Sequence, residues 1–260
     1  MSPEPFLSIE DLHVEAGGLP RVRGVSLAVK EGRFHGLLGP NGAGKTTVLR
    51  VLYRAARAQS GEVRLGGRRM ADWRPQEWAA MTGALVQESG LLSGLTVRDV
   101  VEIGMARSSL SLRQSGARID DALALVGLGD RQDQEAATLS GGEQQRAHMA
   151  QLLARDPLLY ILDEPTNHLD LHYQLVLLDE VKRRGRTVIA TFHDLAMAAR
   201  YCDTVSVMSA GRSVATGSPS DTITQSLLHE VYGVRGSLDG AQLRLDGPVS
   251  RGSDDLARRS

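Results

Sequence analysis

From Leu7 to Val29 hydrophobic and polar residues alternate in short stretches, as in Ser26-Leu27-Ala28-Val29, which predicts antiparallel strands. Phe34 to Leu38 is instead a short apolar run that stops at Gly39, and from Lys45 to Ala56 apolar residues recur at helical spacing (Val48, Leu49, Leu52, Tyr53). The order is strand, glycine-rich turn, helix. Leu158–Leu162 and Thr187–Thr191 are also apolar on both faces, the pattern of parallel strands buried within a sheet. Thr204–Met208 and Arg212–Thr216 flank Ser209-Ala210-Gly211 and predict a hairpin. Between Leu91 and Leu139 strand character disappears. Val97–Met105 and Ile119–Val126 predict helices separated by a polar stretch at Ser108–Gly116. The expected fold class is α/β, with an antiparallel β subdomain in front and an α-helical subdomain inserted at about 90–150. A tail from Gly247 to Ser260, rich in Gly, Ser, Asp and Arg, is expected to be disordered.

The turns between these elements carry the chemistry. Gly39-Pro40-Asn41-Gly42-Ala43-Gly44-Lys45-Thr46 fits G-x-x-x-x-G-K-[ST], the P-loop pattern. Its glycines let backbone N–H groups turn toward a polyphosphate, and the helix that follows adds the positive end of its dipole. Lys45 is placed to reach the β- and γ-phosphates, Thr46 to offer its hydroxyl to Mg²⁺, and Thr47 to bond the α-phosphate. Leu158–Leu162 ends in Asp163-Glu164, so a buried strand delivers two acids at its tip. Asp163 suits Mg²⁺, directly or through water. Glu164, on the other side of the pleat, suits a general base for the attacking water. His193 follows Thr187–Thr191 and stands where it can meet both the γ-phosphate and the acid. Ser140 and Glu143 have S-x-x-E spacing at a helix start, and Gly141 and Gly142 leave N–H groups open there, a second anion-binding terminus.

Leu139-Ser140-Gly141-Gly142-Glu143-Gln144-Gln145-Arg146 resembles the signature sequence of ABC ATPases, with Glu143 in place of the usual Gln. The resemblance extends from about Leu7 to Val234, so the ATP-binding domain is placed at 7–235. It implies a P-loop NTPase core, ATP and Mg²⁺ as cofactors, and two copies that sandwich two ATP molecules head to tail, each signature turn completing the partner's site. It further implies that Gln87, in Leu85-Val86-Gln87-Glu88, reaches Mg²⁺ and the water, that Asp170 in Asn167-His168-Leu169-Asp170 lies at the subunit interface, and that His193 is the switch histidine. The chain departs from the family near the base. Ala16 stands about where an adenine-stacking aromatic is usual, which leaves two alternatives open: weak base selectivity, or a substitute such as His13 or Arg21.

Pro165–Gln174, His193–Tyr201 and Leu227–Val234 are most similar to ATPases of iron–siderophore, haem and vitamin B12 importers. The partners implied are integral membrane permease subunits and, indirectly, an extracytoplasmic solute-binding protein. The place implied is the cytoplasmic face of the membrane. Leu91, Leu92 and Leu95, near Gln87, either face such a partner or pack the helical lobe; the pattern leaves both open. Two other functions stay in view: a non-transport ABC ATPase, such as an iron–sulfur assembly factor, and a nucleotide-sensing regulatory module.

Composition narrows the partners. With 30 Lys and Arg against 31 Asp and Glu, the chain has no basic excess of the kind that favours nucleic acid. Cys202, the single cysteine of 260 residues, excludes an internal disulfide. No apolar run approaches the roughly 20 residues that span a bilayer, and Met1–Glu10 lacks the apolar run of a signal peptide.

Overall fold

The computed structural model of the chain describes residues 4–86, 93–106 and 110–249. The alternating opening forms β1 (Leu7–Ala16) and β2 (Leu19–Val29), an antiparallel pair turned by Gly17-Gly18. After β3 (Phe34–Leu38) and α1 (Lys45–Leu52), β4 (Ser60–Leu65) and β5 (Arg68–Arg69) complete a four-stranded sheet in the order β2-β1-β4-β5. Then follow α2 (Pro75–Met81), β6 (Thr82–Leu85) and the helices α3 (Val97–Met105), α4 (Leu112–Leu125) and α5 (Gly141–Arg155). The chain continues through β7 (Leu159–Leu162), α6 (Leu171–Arg183), β8 (Thr187–Thr191), α7 (Leu195–Tyr201), β9 (Thr204–Ser209) and β10 (Arg212–Gly217), and a last hairpin pairs β11 (Val234–Asp239) with β12 (Gln242–Pro248).

The second sheet has the order β10-β9-β3-β8-β7-β6, parallel except at its β10 edge. Its strands are apolar on both faces because both are covered. Leu37, Leu159, Ile161 and Ile189 face the core shared with α1 and the antiparallel sheet. Phe34, Leu38, Tyr160, Leu162, Val188 and Ala190 face the core shared with the helical lobe. The strand order puts β8 between β3 and β7. The P-loop, the acids after β7 and the residues after β8 therefore leave neighbouring strand ends on one edge, where open α/β sheets bind ligands.

Several boundaries differ from those the sequence predicts. The helix from Lys45 ends at Leu52, and Arg54 takes a positive φ of 62°. The polar stretch expected to separate two helices is itself largely helical: α4 starts at Leu112 because Ser111 and Gln114 form a capping box. Gly247 and Pro248 are not disordered tail but the end of β12. Val234, Leu238 and Leu243 pack on the main core, so the folded unit extends past 235. Leu95 packs against the core of the helical lobe, while Leu91, Leu92, Gln87 and the tail from 250 lie outside the described residues. Among the described residues no helix is long and apolar enough to cross a membrane.

Candidate functional site

The phosphate loop is shaped by close backbone approach. Gly44 has φ +100°, and a Cβ there would lie 2.6 Å from the Arg21 carbonyl oxygen; at Gly39 a Cβ would lie 2.1 Å from the Met208 carbonyl oxygen. Larger residues would push the loop off β2 and β9. The Gly211 N–H, at the tip of the β9–β10 turn, donates to the Ala43 carbonyl at 3.1 Å and holds the loop from the other side. Helix α1 has no side-chain cap at Gly44 and no acid in its first turn, so its positive end is left uncompensated. Lys45 is buried, and its Nζ donates to the carbonyls of Gly39 at 2.6 Å and Pro40 at 3.2 Å. Burial pushes its pKa down, against the pull of Glu164 and Asp163. Asn41 and Gly42 are exposed at the crest of the loop.

Three strand tips converge on Asp163. Its Oδ1 accepts from Thr46 Oγ1 at 3.1 Å and from Thr191 Oγ1 at 2.7 Å. Thr191 Oγ1 in turn accepts from the Glu164 N–H at 2.8 Å. The hydroxyl of β8 thus fixes the turn after β7. Burial raises the Asp163 pKa, opposed by these two hydroxyls. A carboxylate and a hydroxyl oxygen side by side are the hard-oxygen donors that Mg²⁺ takes, so the residues fit that ion.

Glu164, the residue after Asp163, takes a positive φ of 50°. Its Oε1 lies 2.5 Å from His193 Nε2, and its Oε2 accepts from Asn167 Nδ2 at 3.0 Å. His193 and Asn167 therefore fix both carboxylate oxygens.

The Ser140 turn forms the expected capping box. The Ser140 N–H and Oγ both donate to Glu143 Oε2 at 2.9 Å, and Arg131 pairs with Glu143 Oε1. The Ser140 bonds, then Arg131, hold the Glu143 pKa below its ordinary value. Gly142 admits the backbone of the loop before α6, since a Cβ there would lie 2.5 Å from the His168 carbonyl oxygen. Gln145 Nε2 donates to the carbonyls of Glu164 at 3.3 Å and Pro165 at 3.1 Å, joining α5 to the acid turn. No hydrogen bond joins residues 140–143 to residues 39–47 among the described residues.

Asp170 caps α6, accepting from the Tyr173 N–H at 3.0 Å. Near the base position Ala16 ends β1, His13 is held by Asp11 at 3.1 Å, and Arg21 brings its backbone against the loop. Thr191 and the Glu164 contact of Asn167 are absent from the sequence reading. The one available signal was a polar residue closing each apolar stretch.

A family model described as "ABC transporter" matches residues 22–167. The chain belongs to the ABC transporter family. It is similar to a hemin import ATP-binding protein, HmuV, of Rhodopseudomonas palustris strain HaA2, 41% identical over 229 residues that cover 84% of this chain and 87% of that one. Among solved structures it resembles an ATP-binding subunit of an ABC transporter (TM-score 0.77, 26% identity, 83% of this chain and 91% of the other). It also resembles CbiO1 of Clostridium perfringens, part of the transporter complex CbiONQ (TM-score 0.70, 26% identity, 84% and 90%). The P-loop NTPase core with its antiparallel subdomain is the fold these structures share with it. This member of the family binds ATP and hydrolyses it.

Proposed function

We propose that the chain is the ATP-hydrolysing subunit of an importer of haem or a similar iron chelate, and that it works as a head-to-tail homodimer on the cytoplasmic face of the membrane, bound to permease subunits that a solute-binding protein serves from outside. The observation that carries the catalytic part is the Glu164 carboxylate, fixed by His193 and Asn167 one residue from the Asp163–Thr46 pair. The import part rests on similarity to hemin import ATP-binding proteins.

In this reading the loop from Gly39 to Thr47 holds the polyphosphate, with Lys45 exchanging its two carbonyl partners for β- and γ-oxygens. Thr46 and Asp163 would hold Mg²⁺, with Gln87 as a further ligand; bound there, the ion neutralises charge that builds on the phosphates. Glu164 accepts a proton from the water that attacks the γ-phosphorus. The bond to the β,γ-bridging oxygen breaks, and ADP and phosphate leave. His193 keeps the carboxylate aimed. The Ser140-Gly141-Gly142 turn offers N–H groups to the γ-phosphate of the partner's ATP, while Glu143 acts as its internal cap and Asp170 stands at the interface. Hydrolysis removes the shared anion and loosens the dimer.

The test is phosphate release by the purified subunit, alone and with a haem-importer permease reconstituted in lipid nanodiscs. Release that rises with the permease and with haem-loaded binding protein supports the reading. Release unchanged by any permease favours a non-transport ATPase, and no release at all a regulatory module.

A further inference from the structure

A stacked pair joins the start of α6 to the helix that carries the Ser140 turn. The guanidinium carbon of Arg146, in the second turn of α5, lies 4.0 Å from the centre of the Tyr173 ring. Only 12% of the arginine side chain is exposed. Its Nη1 donates to the Val126 carbonyl at the end of α4, at 2.5 Å, and its Nη2 lies 3.8 Å from Glu143 Oε1. The ring beneath it is fixed in turn. Asp170 accepts from the Tyr173 N–H at 3.0 Å, and the ring packs on the main core. The tyrosine hydroxyl fits against Gly127, where a Cβ would lie 2.0 Å from its oxygen and 3.2 Å from Arg146 Nη1.

Two of these contacts place the arginine and the third uses it. Flat against an aromatic face and bonded to a carbonyl, the guanidinium keeps little of the freedom that a long side chain has at a surface. It then presents a positive charge to Glu143. Arg131 pairs with the same oxygen, Oε1, so Oε2 stays with the Ser140 N–H and hydroxyl. A line of contacts therefore runs from Asp170 through Tyr173, Arg146 and Glu143 to Ser140. Space filling alone does not ask for an aromatic at its centre. An aliphatic side chain would fill the volume, but it has no electron-rich face to hold a nearly desolvated cation.

We infer that Tyr173 is a positioning residue for the Ser140 turn: its ring holds Arg146 in place, and through Glu143 this keeps the Ser140-Gly141-Gly142 N–H groups aimed at the γ-phosphate of the partner's ATP. This rests on the head-to-tail reading above and adds what aligns the turn from within its own chain.

The test reads phosphate release from dimers mixed from Lys45→Ala and Ser140→Arg chains. The undamaged site in them combines the loop of the Ser140→Arg chain with the turn of the Lys45→Ala chain. Tyr173→Leu added to the Lys45→Ala chain is expected to lower release about tenfold, the weight of a largely desolvated cation–π contact. Added to the Ser140→Arg chain, whose turn is already lost, it is expected to leave release unchanged. Tyr173→Phe keeps the ring and is expected to leave release unchanged in either chain. Melting temperature and ATP affinity of the chain with Tyr173→Leu should match those of its parent. If the melting temperature falls, Arg146→Lys carries the same comparison, because it keeps the charge and has no plane to stack. Equal loss from both placements, no loss from either, or a loss with Tyr173→Phe as large as with Tyr173→Leu overturns this inference alone. No release by the parent mixed dimer overturns the head-to-tail reading with it.

Discussion

His193 Nε2 and Glu164 Oε1 lie 2.5 Å apart, so the imidazole that follows β8 holds the carboxylate that follows β7. The contact crosses two adjacent parallel strands, and Asn167 holds the other carboxylate oxygen. A carboxylate fixed at both oxygens is pre-aimed, which in the proposed role as base makes its removal specific to turnover. Glu164→Gln is expected to lower phosphate release about 10²–10⁴-fold, the usual weight of a general base, with ATP affinity within a few-fold. Single-turnover release and fluorescent-nucleotide titration check the split; normal turnover contradicts the base assignment.

Lys45→Ala removes the one cation that the loop encloses. A charge-assisted hydrogen bond is worth about 1.5–3 kcal/mol, so ATP affinity should fall about 10–100-fold. Titration calorimetry with ATP and ADP reads this directly, and unchanged affinity would remove the phosphate cradle from the account.

Gly44→Ala tests the loop's packing. The added Cβ would stand 2.6 Å from the Arg21 carbonyl oxygen at φ +100°, so β2 or the loop must move. The expected cost is about 1–3 kcal/mol in urea unfolding, the range for backbone strain at such a site, together with weakened ATP binding. Gly42→Ala, with open space around its Cβ, should cost less than Gly44→Ala.

His35 sets a pH dependence of stability. It is wholly buried in β3, between Thr204 Oγ1 at 2.8 Å and Ser206 Oγ at 3.0 Å, and burial lowers its pKa to about 4. The native state keeps the imidazole neutral, while the unfolded chain protonates below about 6.5. The stabilisation is whole above that pH and is lost as pH falls toward 4, up to roughly 3 kcal/mol. Urea midpoints from pH 7.5 to 4.5 should drop less steeply in His35→Gln than in the wild type. His148, also lowered by burial, contributes slope to both proteins and cancels in the comparison.

The Ser140 turn is tested across subunits. In mixed dimers of Lys45→Ala and Ser140→Arg chains, a site acting in trans pairs the two lesions in one site and leaves the other intact, so activity should return to a fraction of the wild type. A turn acting within its own chain leaves both sites damaged. Phosphate release across a titration of the two variants decides; no recovery removes the head-to-tail arrangement.

Much of the site was legible because its chemistry is local. Glycine spacing before Lys45, two acids after an apolar run, and a serine three residues before Glu143 are patterns within a few residues, and each appears where expected. The antiparallel opening and the strands β3, β7 and β8 were readable for the same reason, since periodicity reports burial. β6 is as short as β7, but its Thr82, Gly83 and Ala84 break the run of large apolar residues that marks β7, so it did not stand out. The hairpin β11–β12 carries polar residues on its open face and looked like tail at its end. Ser111 recruited residues 112–116 into α4 through a cap that the polar composition concealed.

Residue type and spacing alone were enough to pick out a glycine-rich loop before a helix, two adjacent acids at a strand end and a buried parallel sheet, because glycine freedom and apolar periodicity belong to the chain itself. Which side chains meet was settled by folding. Thr46 reaches Asp163 across 117 positions, and Thr191 reaches it across 28. The Thr191 contact follows from β8 lying beside β7, and the Thr46 contact spans the tip of β8 from the helix that follows β3. That strand order follows from covering both faces of the sheet at once, a packing requirement of the whole molecule that no window of sequence contains.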